Sequence, residues 1–167
     1  METATSRLSE AQRLADQLER AFRGGAWHGP ALAQTLADID AATASRRPFP
    51  AAHTIWEIAL HARTWIDVTA RRLAGGPLGE LTPEQDWAGP ANGSEEEWWA
   101  ALAGLEEAHS SLHAAVLSLA DERLDDPVAG SDPTVRGLLL GVLQHNVYHA
   151  GQIALLKKAD QAGGESP

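Results

Sequence analysis

Apolar positions recur along most of this chain at alternating intervals of three and four, and no convincing period-two run interrupts them. The pattern predicts four long amphipathic helices and one short one. The first long helix is expected from near Ser6 to the Gly24-Gly25 pair. It would carry Leu8, Ala11, Leu14, Ala15, Leu18 and Phe22 on one face, with Glu10, Arg13, Asp16 and Arg20 outside. Pro30 suits the first position of the short helix, which carries Leu32, Leu36 and Ile39 and ends before the proline-bounded stretch from Ser45 to Pro50. Thr54 and Glu57 read as a capping box opening the second long helix, with an inward stripe of Ile55, Ile58, Ala62, Trp65, Thr69 and Leu73 and a stop at Gly75-Gly76. From Gly75 to Gly93 the prolines Pro77, Pro83 and Pro90 mark a long crossover able to form a lid. Ser94 and Glu97 read as a second capping box before the stripe Trp98, Leu102, Leu105, His109, Leu112, Val116 and Leu119. Asp132 as N-cap and Pro133 at the first position predict the last helix. Its stripe is Val135, Leu138, Val142, His145, His149, Ile153 and Leu156, ending at Gly163-Gly164.

Four such stripes leave water only by packing on one another, so the expected architecture is an all-α four-helix bundle with a long crossover connection and one short extra helix. The 167 residues suit one domain, residues 1–167, with a flexible tail from about residue 161. Net charge is −10, and no block of Lys and Arg is dense enough to form a phosphate-binding face. Nucleic acid and an anionic membrane surface are poor partners on that ground. The absence of cysteine removes disulfides, thiolate ligands and a cysteine nucleophile together, leaving histidine and carboxylate as ligands. The N-terminus is polar and charged, and no apolar run approaches the roughly 20 residues of a membrane helix. A soluble, cytoplasmic protein is the expectation.

The segment HNVYHAGQI, from His145 to Ile153, sets two imidazoles one helical turn apart within an apolar stripe. Side chains at i and i+4 share a face and can reach one ion together. His61, in the segment TIWEIALHARTW, is the best candidate for a third ligand. A buried polar ring left unpartnered costs roughly 1–3 kcal/mol, which a metal offsets and which bonds to backbone carbonyls offset equally. The spacing leaves both readings open. It also leaves a competitor, because His109 and His113 are four apart on the preceding helix, although His113 falls toward its flank and no glycine opens space beside it. Glu57 and Trp65 stand one turn on either side of His61, where either can border a site; the capping role competes for Glu57 and the core for Trp65. His28 and His53, at helix entries, suit local capping or surface roles.

The combination of HTIWEIALHARTW, a long crossover and HNVYHAGQIALLKK resembles the DinB/YfiT-like superfamily of bacterial four-helix-bundle proteins over nearly the whole chain. The resemblance implies that His61, His145 and His149 bind a divalent metal ion, nickel or zinc, and that Tyr148, Gly151 and Gln152 pack or support the ligands. It further implies an enzyme that uses a low-molecular-weight thiol as co-substrate and transfers it to small electrophiles, and a homodimer. A metal-dependent hydrolase and a non-catalytic, stress-related metal-binding protein are the alternatives. Three nitrogen ligands with one open coordination position are coherent with catalysis, and such a site needs no protein nucleophile.

Overall fold

The computed structural model describes residues 8–76, 80–130 and 133–164, the last four as helix backbone only. Among them four long helices carry the fold: α1 (Glu10–Arg23), α4 (Ile55–Leu73), α6 (Glu95–Leu117) and α7 (Val135–Gly164). The short helices α2 (Leu32–Leu36), α3 (Ala41–Ser45) and α5 (Pro83–Asp86), with a 3-10 turn at Asp121–Asp125, fill the connections. The single extra helix expected from the pattern is thus three. Pro30 precedes α2 instead of starting it, and Asp40 opens α3 by accepting from the Thr43 N–H at 2.7 Å.

Contacts between the long helices run in a ring, α1 to α6 to α4 to α7 and back to α1. The pairings give the directions. Trp56 meets Trp98 and Arg63 approaches Gly104, so α4 and α6 run parallel. Glu19 meets His109 while Arg23 meets Glu106, so α1 and α6 are antiparallel. Glu10 meets Arg136, which places the starts of α1 and α7 together. The order is up, down, down, up. Parallel neighbours demand a connection that travels the length of the bundle, which is why residues 74–94 form a crossover and not a tight turn.

Local sequence accounts for the helix starts. Ser9 and Gln12 form a reciprocal capping box at α1; the expected start near Ser6 lies outside the described residues, and Leu8 is exposed. The Thr54–Glu57 box forms as expected, each side chain taking the other residue's backbone N–H, at 3.1 and 2.8 Å. At α6 Ser94 accepts from the Glu97 N–H, but the reciprocal bond is absent. Asn92 takes the Ser94 N–H, and the Glu97 carboxylate accepts from the N–H groups of Ala91, Asn92 and Gly93. Thr134 caps α7 by accepting from the Gly137 N–H at 3.2 Å; the expected cap Asp132 lies outside the described residues. Helix α7 runs to Gly164, at the expected glycine stop, and residues 165–167 of the expected tail lie outside the described residues as well.

The core joins the predicted stripes with residues the stripes omit. Trp56 and Trp98 are fully buried, 5.1 Å apart between ring centroids, and the Trp98 indole donates to the Ile39 carbonyl at 2.6 Å. Truncating a core tryptophan costs roughly 3–5 kcal/mol, so this pair locks the loop at Ile39 to α4 and α6. Asp121 accepts from the N–H groups of Glu10 and Ala11 at 3.0 and 2.9 Å, pinning the 3-10 turn to the positive end of α1. No helix among the described residues is long and apolar enough to cross a membrane.

Candidate metal centre

Antiparallel packing of α4 on α7 brings His61 against His145 and His149. The Nε2 atom of His145 lies 3.0 Å from that of His61 and 3.1 Å from that of His149. Among the described residues these three are the group of ligating side chains close enough to share an ion. A tetrahedral ion holding each nitrogen at about 2.0–2.1 Å spaces them roughly 3.3 Å apart, close to what is present. The donor set therefore fits a divalent cation.

The outer nitrogens fix the tautomers. His61 Nδ1 lies 2.8 Å from the Asp86 carbonyl and 3.1 Å from its Oδ1, and so carries the proton. His149 Nδ1 donates to Gln152 Oε1 at 2.6 Å, and Gln152 is itself oriented by donating to the Tyr148 hydroxyl at 3.0 Å. Both Nε2 atoms are then lone pairs aimed at His145. A proton on His145 Nε2 serves one neighbour and leaves the other lone pair facing it, whereas a cation satisfies all three.

Burial is the first cause holding two of the rings neutral. It pushes His145 down to about 4, helped by the like charges His149 and His61 would carry, and lowers His149 in the same way. Neutral imidazole is the ligating form. His145 Nδ1 and the side-chain amide oxygen Oδ1 of the neighbouring, buried Asn146 have no hydrogen-bond partner among the described residues.

The crossover supplies what sequence reasoning missed. Trp87, immediately after α5, stacks on His61 at 3.8 Å between centroids and 4° between planes, and its other face stacks on His53 at 3.6 Å. Asp86 also accepts from the Trp65 indole at 2.8 Å, so one residue holds both a candidate ligand ring and a wall of the site. Trp65 borders the centre, its ring 6.3 Å from His61 and 6.0 Å from His145. The crossover covers one face of His61 with an indole that follows a short helix. A lone tryptophan amid Pro and Gly was the signal in the sequence, but nothing in the spacing ties it to His61.

Other expectations resolve differently. Glu57 serves its cap and pairs with Arg47 at 2.7 Å, so it does not border the site. Gly151, expected to pack beside the histidines, is exposed. His109 stacks on Phe22 at 3.9 Å and donates to Glu19 at 3.0 Å, while His113 stands 6.0 Å from it between centroids.

The fold is shared with a crystal structure of a conserved protein from Enterococcus faecalis, with a TM-score of 0.68 at 17% sequence identity, covering 92% of this chain and 98% of that one. No curated protein matches the chain significantly. The family model of the DinB superfamily matches residues 26–153, which hold His61, His145 and His149. By that match the chain belongs to the DinB superfamily.

Proposed function

We propose that this protein binds a divalent metal ion, nickel or zinc, through His61, His145 and His149, and uses it to transfer a low-molecular-weight thiol to small electrophiles. The observation that carries the reading is the convergence of three Nε2 atoms at 3.0–3.1 Å, with the outer nitrogens of two rings bonded to Asp86 and Gln152. Bound there, the ion supplies a Lewis acid that depresses the pKa of a thiol or water at its open position. The protein contributes the rest. Asp86 and Gln152 hold the ligand rings in one tautomer and orientation, and Trp65 and Trp87 wall the centre with indole. A cavity of about 310 Å³ touches His145 and Trp65, which favours catalysis over a merely structural ion, because a structural site has no use for adjoining space.

In the same reading two copies pair through a bundle face. Leu140, Tyr148 and Leu155 are exposed along one side of α7 and offer apolar surface for it, which light scattering of the purified protein tests.

Metal analysis of untagged protein, followed by a panel of thiols against a generic electrophile, tests the function. One ion per chain and thiol consumption that stops on chelation is the expected result. Metal with no thiol turnover but ester or amide cleavage would replace the transferase by a hydrolase. Metal with no turnover of either kind would leave a binding protein, and protein without metal would overturn the reading.

A further inference from the structure

The cavity beside the centre extends along the α4–α7 seam, away from the three histidines and toward Arg72. Its walls are almost wholly apolar: Trp65, Leu138 and Val142, with Gly137 and Gly141 one turn apart on α7. A Cβ at Gly141 would meet nothing within 4 Å, so the missing side chain is part of the open space. Such a cavity would serve any small apolar molecule were it not for the far end. There Arg72 buries its Nε without a hydrogen-bond acceptor among the described residues, and its guanidinium sits 5.9 Å from the centre of the Trp65 ring. Burial is the one cause acting on it and pushes its pKa down; no carboxylate among the described residues offsets that cost. A cation at the end of an apolar cavity, with no counter-ion among the described residues, is arranged to receive one from outside.

We propose that this seam is the acceptor-substrate site, and that it takes a small monocarboxylate with a compact apolar body, the carboxylate on Arg72 and the body between Trp65 and the two glycines. The assignment deepens the proposed function and rests on it for the identity of the reacting end. Size follows from volume. A cavity of about 150 Å³ holds benzene, so one of about 310 Å³ holds on the order of ten to twelve non-hydrogen atoms. One guanidinium in apolar walls matches a single negative charge and leaves a phosphate dianion half-compensated. Reach follows from two short steps, 5.9 Å from guanidinium to the Trp65 ring and 6.0 Å from that ring to His145. A molecule anchored at Arg72 therefore presents its other end beside the ligand cluster.

The experiment uses the full-length, metal-loaded protein titrated calorimetrically with 3-phenylpropanoate and its neutral isostere 3-phenylpropanamide, with metal content measured on every sample. The acid is expected to bind about tenfold or more tighter than the amide. Arg72→Gln is expected to erase that preference at unchanged metal content, and Gly141→Leu to weaken both probes by filling the space. Equal affinity of acid and amide for the wild type, which needs no variant and no refolding control, would overturn the proposal, as would a preference that survives in Arg72→Gln. A wild type that prefers the acid but holds no metal would sink the metal reading and leave the anion site standing. Metal at full occupancy without the preference would sink this proposal alone.

Discussion

Two histidine pairs in this protein have the same spacing and opposite fates. His145 and His149 on α7 meet a third imidazole across the seam, with Nε2 atoms 3.0–3.1 Å apart. His109 and His113 on α6 meet none. His109 is 1% exposed, yet its ring is occupied by stacking on Phe22 and by Glu19, and His113 stays partly exposed beside it. The difference is made by the facing helix. Helix α4 presents His61 to α7, whereas α1 presents Phe22 and Glu19 to α6. A pair one turn apart is a ligand set only when a neighbouring element brings another donor and the outer nitrogens find acceptors.

Substitutions can break this comparison, and the largest expected effect falls on the proposed ligands. His145→Ala or His149→Ala is expected to lower metal affinity by about a hundredfold or more while circular dichroism keeps most of the helicity; His113→Ala should do neither. Equal metal loss from both pairs, read by elemental analysis, would erase the distinction. His109→Ala is expected to destabilise the fold by roughly 2–4 kcal/mol in urea titrations, because it empties a stacked, buried position and removes one partner of Glu19, yet to leave metal content unchanged. Gln152→Leu removes the acceptor behind His149 and should weaken metal binding about ten- to a hundredfold without altering its stoichiometry, as competition with a chromophoric chelator reads out.

Much of this was legible beforehand, for physical reasons that also mark where legibility ends. The stripes through Ile55, Ile58 and Ala62 and through Leu105, Leu112 and Val116 are buried as expected, since helical period alone decides which face leaves water. His61, His145 and His149 were legible because they interrupt such stripes with polar rings. Trp87 and Asp86 were not, because they sit in a segment without periodicity, and their contacts with His61 span about 25 positions fixed only by the path of the crossover. Thr54 and Glu57 cap each other as read, but Glu97 does not return to Ser94, because Asn92 already holds that N–H. Arg72 belonged to no motif; its meaning comes from the cavity it closes.

The smallest expected effect concerns acid. Hydrogen bonding by Arg23, reinforced by His109, holds Glu19 down at about 2 against an ordinary 4.5. A carboxylate more acidic in the folded state contributes stability that is complete above about 4.5 and drains away as pH falls toward 2, because the unfolded chain takes up the proton first. Glu19 is partly solvated, so the contribution is modest. Glu19→Gln should flatten that stretch of the stability curve while metal content at neutral pH stays constant. An unchanged curve would place the acid sensitivity elsewhere.

X-ray absorption on untagged, metal-loaded protein tests the central claim most directly, since it counts and identifies the atoms around the ion. Three imidazole nitrogens at about 2.0–2.1 Å and at least one lighter exchangeable donor, with a nitrogen lost in His145→Ala, is the predicted result. A shell of oxygens alone, or one unchanged in that variant, would contradict it.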